Sequence, residues 1–141
     1  MILYKLADAY EVELLKPIFT ENALSYDINT LKQFIKEPTC QLYIALDDDR
    51  VIGYAYAYLQ LHPDGKIMQH IYNLFVAKSH RRQGIASEFL SFILEDAYQI
   101  GCHESWMSAD PLNGAVRRLM SKFRHEPLEQ RIFRFNYRDR S

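Results

Sequence analysis

The stretch Phe75-Val76-Ala77-Lys78-Ser79-His80-Arg81-Arg82-Gln83-Gly84-Ile85-Ala86 constrains this chain most. An apolar strand ends there, a basic loop follows, and a long amphipathic helix begins. Ile85, Phe89, Phe92, Ile93, Ala97 and Ile100 then recur at helical spacing until Gly101 ends the run. Glu104–Ala109 reads as the next strand. A strand–helix–strand unit implies a parallel pair joined by a right-handed crossover.

The segments before the junction predict antiparallel pairing. Ile2–Leu6 reads as a short strand. Asp8 and Glu11 form a capping-box pattern ahead of Val12, Leu15, Ile18 and Phe19, in a helix that Pro17 bends or shortens. Thr30 and Gln33 repeat that pattern for a second helix, stopped by Glu37-Pro38. Gln41–Leu46, Val51–Leu61 and Ile67–Val76 read as a meander, turning at Asp47–Arg50 and at His62-Pro63-Asp64-Gly65. Tyr54, Tyr56 and Tyr58 share one face of its middle strand, either as a half-exposed sheet face or as the lining of a substrate pocket. After the crossover, Pro111–Phe123 predicts a helix and Ile132–Tyr137 a closing strand. The expected fold is α/β with a mixed sheet, in the order β-α-α-β-β-β-α-β-α-β, covered by helices.

Composition excludes several classes. The chain has 141 residues, 48% hydrophobic and 25% charged. That length suits one domain, 1–141, with a core that needs no metal or disulfide. Seventeen Lys and Arg against 18 Asp and Glu give a formal charge of −1. This argues against a dedicated nucleic-acid binder, whose affinity rests on net basic surface. The longest mostly apolar run, Val51–Leu61, is short of the roughly 20 residues a membrane span needs. The N-terminus turns acidic at Asp8 and lacks signal-peptide character. Cys40 and Cys102 have no metal-ligand spacing and read as free thiols of a cytoplasmic protein.

The junction has a chemical consequence. The first N–H groups of a helix lack intrahelical partners, and the helix dipole places partial positive charge there. A residue without a side chain at Gly84 lets anionic oxygens approach the backbone. Arg81 and Arg82 can add charge-assisted contacts. No Gly-Lys-Ser/Thr follows, so this is not a P-loop, and the three-glycine dinucleotide fingerprint is absent too. Standing alone, the pattern reads first as a tight helix–sheet contact beside a solvated loop; its place between a meander and a long helix reverses this and favours the anion site.

The segment resembles the acetyl-CoA pyrophosphate loop of the GNAT acetyltransferase superfamily, and the element order fits that fold from end to end. His70–Val76 through His80–Ala86, with Ala109-Asp110 after the next strand, is most similar to the aminoglycoside 3-N-acetyltransferases. The resemblance implies acetyl-CoA as cofactor. It implies that backbone groups of Phe75 and Val76 pair with the pantetheine arm, and that Arg81, Arg82, Gln83, Gly84, Ile85, Ala86 and Ser87 hold the pyrophosphate. Asn113 matches the asparagine that opens the helix contacting the CoA arm, and Lys122 falls on that helix's lysine. Two departures stand out. Met120 occupies the position of the family's tyrosine, which commonly protonates the departing thiolate, and a thioether cannot donate a proton. Asn73 occupies the position of an aspartate in the aminoglycoside enzymes.

Acetyl transfer to an amine requires a deprotonated nucleophile, since an alkylammonium has a pKa near 10.4. Candidates for proton handling are Asp110, His70, Tyr72 and Tyr137. Asp110 reads equally as a cap before Pro111, and the other three as packed strand residues. His80 reads as a loop residue. Glu11, Glu13, Glu21 and Asp27 would border an acceptor site in this fold, which suggests a cationic amine or else a solvated face. The expectation is direct N-acetyl transfer to a small primary amine, with no nucleic-acid or membrane partner and room for a homodimer. The alternatives are a GNAT-fold acyl-CoA sensor without turnover, and a toxin acting on charged tRNA.

Overall fold

A computed structural model describes residues 1–110 and 112–138. Strand β1 is Ile2–Leu6. A 3-10 turn, Glu11–Leu15, runs into helix α1, Lys16–Glu21. The capping box forms as the sequence predicts: Glu11 N–H donates to Asp8 Oδ1 at 2.8 Å and Asp8 N–H to Glu11 Oε1 at 3.0 Å. Pro17 sits in the first turn of α1, where a missing N–H costs nothing. Helix α2 is Ile28–Lys36. Its cap is Asp27, which accepts from Asn29 N–H and Thr30 N–H, and not Thr30 as the pattern suggested. An aspartate one turn earlier offers an ionised acceptor to the orphan donors of the helix's first turn.

Strands β2 (Cys40–Asp47), β3 (Arg50–Leu61) and β4 (Ile67–Val76) form the antiparallel meander. Helix α3, Ile85–Gln99, crosses over to strand β5, Glu104–Met107, which pairs parallel to β4. Helix α4 is Gly114–Met120. The sheet order is β1-β2-β3-β4-β5, mixed as expected. Helix α3 covers one face: Phe89 stacks on Tyr4 and Phe92 meets Tyr43 edge-on. Helices α1 and α2 cover the other, where Phe19 packs on Tyr54 and Phe34 on Tyr56 and Tyr58. Tyr43, Tyr54, Phe89, Ile52 and Ile93 are fully buried between them. Truncating such an aromatic would cost about 3–5 kcal/mol.

Three expectations after β5 need correction. The helix begins at Gly114, and Pro111 lies outside the described residues. Asp110 is not its cap; Asp110 Oδ1 accepts from Leu112 N–H at 2.9 Å, a turn, while Asn113 caps α4 through Ala115 N–H and Val116 N–H. Ile132–Tyr137 forms no strand. Tyr137 is 77% exposed and belongs to no sheet. Alternation of apolar residues favours a strand only where a neighbouring edge supplies backbone partners, and among the described residues none pairs with this segment.

Candidate active site

The site grows from a mismatch in length between two neighbouring strands. β4 pairs with β3 as far as Val76, but with β5 only as far as Ile71, opposite Met107. Beyond that point β4 has an unpaired side. Ala77 N–H donates to Ile52 O at 2.8 Å. Antiparallel alternation then makes Phe75–Tyr54 the next hydrogen-bonded pair. So the backbone groups of Phe75 serve the β3 ladder, and those of Leu74 and Val76 face the gap. Of the two residues expected to lend backbone groups to a ligand, Val76 is the one placed to do so. Its carbonyl accepts from Arg81 Nε at 3.0 Å, and the Arg81 guanidinium lies 5.3 Å from the centre of the Phe75 ring.

The loop between β4 and α3 prepares a row of donors. Among the described residues, the N–H groups from Arg82 to Ser87 have no intramolecular acceptor; the first helical bond of α3 is Glu88 N–H to Gly84 O. Gly84 takes the left-handed conformation at φ 78° and stands at the helix start with no side-chain cap. A Cβ built on it meets nothing within 4 Å, so open space lies over the donors. Arg82 is also left-handed, at φ 62°, a conformation that costs a non-glycine residue about 1–2 kcal/mol. Strain of this kind persists where the surrounding structure over-determines it.

The donors open on a cavity of about 560 Å³, running from the loop to the gap beside β4. Leu74, Val76, Met107, Val116 and Leu119 supply its apolar wall, and Arg81, Arg82, Arg118 and Lys122 its charge. Lys122 Nζ bonds Ser87 Oγ at 3.2 Å, joining α3 to the end of α4. Gln83 is exposed beside the row. Ile85 is buried and anchors the helix start, while Ala86 and Ser87 remain partly open. Free N–H donors, four cationic side chains and an adjoining apolar slot fit a ligand with phosphates on a long uncharged arm. Sequence reasoning did not single out Arg118, which helical spacing from Asn113 could have placed on the same wall.

His80 is more than a loop residue. Its Nε2 lies 2.8 Å from Asp47 Oδ2 and its Nδ1 2.7 Å from Ser79 Oγ, which also accepts from Arg50 Nη2. The loop is thereby fastened to the β2–β3 turn. The hydrogen bond from His80 is the main reason Asp47 titrates below the usual carboxylate range.

The opposite face of β4 holds the remaining candidates. Tyr56 pairs with Asn73 and Ala57 with Ile71, so Tyr72 is the extra residue of a β-bulge. The bulge turns two sequence neighbours to one side. Tyr72 stacks on Tyr56 at 6.1 Å and on His70 at 4.4 Å, while Asn73 Nδ2 lies 3.4 Å from Tyr54 OH. Asn22 Nδ2 donates to the same phenol at 2.6 Å. Burial pushes the Tyr54 and Tyr58 phenols up. His70 Nε2 meets Ser108 Oγ at 3.1 Å. The structure thus brings His70 and Tyr72 together, but sets Asp110 in a turn and Tyr137 on an exposed segment. Met120 packs against the core. The four early carboxylates do not gather: Glu11 pairs with Lys5, Glu13 with Lys32, Glu21 accepts from Lys78 N–H, and Asp27 caps α2.

Solved structures share this fold. An aminoglycoside acetyltransferase from an uncultured soil metagenomic sample, in complex with sisomicin, superposes with a TM-score of 0.77 at 18% identity, covering 96% of this chain and 95% of that one. Aminoglycoside N-acetyltransferase AAC(6')-Iy in complex with CoA gives 0.80 at 16% identity, over 97% and 95%. A ribosomal-protein-alanine N-acetyltransferase from Brucella melitensis biovar Abortus 2308 gives 0.78 at 16%, over 95% and 99%. At such identities these likenesses show the fold. No curated protein sequence matches the chain significantly. The sequence profile of the acetyltransferase (GNAT) family matches residues 7–124. This chain belongs to that family, and is an acetyltransferase by descent.

Proposed function

We propose that the chain transfers an acetyl group from acetyl-CoA directly to a primary amine of a small acceptor, in a single 1–141 domain. The observation that carries this reading is the row of free N–H groups from Arg82 to Ser87, opening on the cavity beside β4. These donors, with Arg81, Arg82, Arg118 and Lys122, would neutralise the cofactor's phosphates. The backbone of Leu74 and Val76 would align the arm as an added strand. Asn113 caps α4 and so fixes the wall carrying Val116 and Leu119. When bound, acetyl-CoA supplies an activated thioester carbonyl.

The protein's own task is then to orient the amine and take its proton. His70, bonded to Ser108 and stacked on Tyr72, is the imidazole nearest the bulge and the best-placed acceptor of that proton through water. Tyr72 holds its ring in place. Met120 offers no acid for the thiolate. A thiol with a pKa near that of cysteine, about 8.5, leaves tolerably without one, and losing a general acid typically costs about 10²–10⁴-fold in rate. The complex of one fold neighbour, an aminoglycoside acetyltransferase, with sisomicin supports an amine acceptor better than the early carboxylates do, since those are held in caps and ion pairs.

Thiol release from acetyl-CoA, followed with a panel of primary amines, tests this. Turnover stimulated by at least one amine is expected. Binding of acetyl-CoA with no stimulation by any amine would replace transfer by a sensor role, which the methionine at 120 favours. Absence of acetyl-CoA binding would remove both readings.

A further inference from the structure

Helix α3 begins at the donor row and ends, 15 residues later, beside a second cavity. At 1.5 Å of rise per residue the helix separates the two by about 22 Å. This crevice has a volume of about 390 Å³, within the roughly 300–1,000 Å³ of small-molecule sites. Gln41 and Asp96 line it, and Leu6, Leu59 and Ile100 give it an apolar wall. It shares no lining residue with the cavity beside β4.

A chain of hydrogen bonds leaves the crevice at Asp96, crosses the core and returns to the crevice at Gln41. Tyr43 OH donates to Asp96 Oδ2 at 2.7 Å. Gln69 Nε2 donates to Tyr43 OH at 3.2 Å and to Gln41 Oε1 at 2.9 Å. Ser105 Oγ donates to Gln69 Oε1 at 2.8 Å. Tyr43 and Gln69 are fully buried, so neither can turn to water instead.

The direction of every bond follows from one end. A carboxylate only accepts, so the phenol proton of Tyr43 goes to Asp96. The phenol oxygen must then accept, which turns the Gln69 amide with Nε2 toward it. The second N–H of that amide goes to Gln41 Oε1, and Gln41 is left with Nε2 as its free end. Gln41 is only 5% exposed, yet its Nε2 has no partner among the described residues. Every sealed side-chain polar atom among them does have one, so this Nε2 opens on the crevice. Two N–H donors that the core does not satisfy thus face the same space as the Asp96 carboxylate. Tyr43 occupies only Oδ2 of that carboxylate, and Oδ1 accepts nothing among the described residues.

The surroundings favour positive charge. Helices α2 and α3 both end here, and Ile35 O and Lys36 O accept no hydrogen bond among the described residues. The carbonyl ends of helices attract cations. Glu37 adds a second carboxylate, against one exposed lysine, Lys36.

We propose that this crevice binds a small organic ammonium ion carrying a hydroxyl or carbonyl oxygen, its nitrogen on Asp96 and its oxygen on Gln41. A plain cation satisfies Asp96 but leaves the Gln41 donors unmet. An anion meets Gln41 but is opposed by Asp96, Glu37 and the two helix ends. A molecule with both groups meets each, and its carbon chain lies on the apolar wall.

Nitrogen–proton correlation spectra of the full chain, titrated with ethanolamine and aminopropanol, read the site directly through the side-chain NH2 of Gln41. Shifts of that pair and of the Asp96 backbone amide are expected at millimolar concentration. Propylammonium, which lacks the oxygen, should bind severalfold more weakly, and propanediol, which lacks the charge, should not bind. Asp96→Asn keeps an acceptor for Tyr43 and should weaken aminopropanol by about 10- to 100-fold. No movement at Gln41 at tens of millimolar overturns the proposal. So does binding of propanediol or propylammonium as tight as that of aminopropanol, or wild-type affinity in Asp96→Asn. Should Asp96→Asn fail to fold, Gln41→Glu decides. It keeps an acceptor for Gln69 but exchanges the free NH2 for an oxygen, so it should bind propylammonium more tightly than the wild type and lose the preference for the amino alcohol. A retained preference refutes the role of Gln41. An amine held at the acetyl-transfer site instead would shift His70 and Tyr72 and be indifferent to both substitutions, so the result stands apart from the acetyl-transfer reading.

Discussion

The two faces of strand β4 treat polar groups in opposite ways. Toward α3 and α4, the backbone donors of Arg82 to Ser87 have no partners among the described residues, and an open cavity lies over them. Toward α1 and α2, phenols and amides satisfy one another: Asn22 and Asn73 both reach Tyr54, and Tyr56, Tyr58, Tyr72 and His70 interlock as rings. No buried side-chain polar atom among the described residues lacks a partner. The difference shows where binding capacity resides. Unmet backbone donors attract a ligand, whereas a matched aromatic face gives shape and rigidity.

Substitution at Gly84 should break this contrast most severely. Gly84→Val places a β-branched residue at φ 78°, where valine is strongly disfavoured, and puts methyl groups over the donors. Losing one or two charge-assisted bonds at about 1.5–3 kcal/mol each corresponds to about 10- to 10⁴-fold weaker acetyl-CoA binding by calorimetry. Wild-type affinity in this variant would show that the arginines, not the backbone, hold the phosphates.

Tyr54→Phe probes the other face. It removes the acceptor shared by Asn22 and Asn73 and leaves two amides short of a partner. Stability should fall by about 1–3 kcal/mol, read by urea denaturation, while acetyl-CoA affinity stays within about twofold of wild type. A large loss of affinity with unchanged stability would reverse the roles assigned to the two faces.

The tyrosines also set a pH dependence. Burial raises the phenols of Tyr4, Tyr43, Tyr54 and Tyr58, with Asp96 adding to Tyr43 and Glu88 to Tyr4. A folded pKa above the unfolded value means the unfolded chain loses protons first. Their contribution is therefore complete below about pH 10 and is lost as pH rises through the folded values. Denaturant midpoints should hold steady up to about pH 10 and fall above it, and Tyr54→Phe should flatten that fall slightly. A midpoint that declines from pH 8 would point to another group.

How much of this was legible in the sequence follows the same division. Strands β1 and β4 and the crossover helix read directly from periodicity, because each buries a face against a continuous neighbour. The anion cradle was legible because it is made of backbone, and Gly84 at a strand–helix junction signals backbone geometry. The bulge at Tyr72 was not, since register depends on the partner strand. Neither was the bond from His80 to Asp47, which joins residues far apart in sequence and carries no local pattern. The tail failed for a related reason. Ile132–Tyr137 has the alternation of a strand, but alternation does not supply the backbone partners a strand needs, and among the described residues none pairs with it.

His80 gives the subtlest test, because it touches neither face directly. It fastens the loop from one end, through Asp47 and Ser79, while Gly84 and Arg82 shape the other. Its removal should not abolish the cradle but should let the loop sample other conformations before binding. Reordering one residue costs about 1–2 kcal/mol, so His80→Ala should raise the KM for acetyl-CoA by about 5- to 30-fold with kcat little changed. His80→Gln keeps a donor for Asp47 and should recover part of the loss. The Asp47 side of the tether adds a sign. Its folded pKa is depressed, so its contribution is present above the ordinary aspartate range and disappears as pH falls through the folded value. The KM effect of His80→Ala should therefore persist across neutral pH and shrink only in acid, where Asp47 is protonated in both proteins. A change in kcat instead of KM would move His80 from the cofactor loop to the proton path and erase the distinction between a face that binds and a face that shapes.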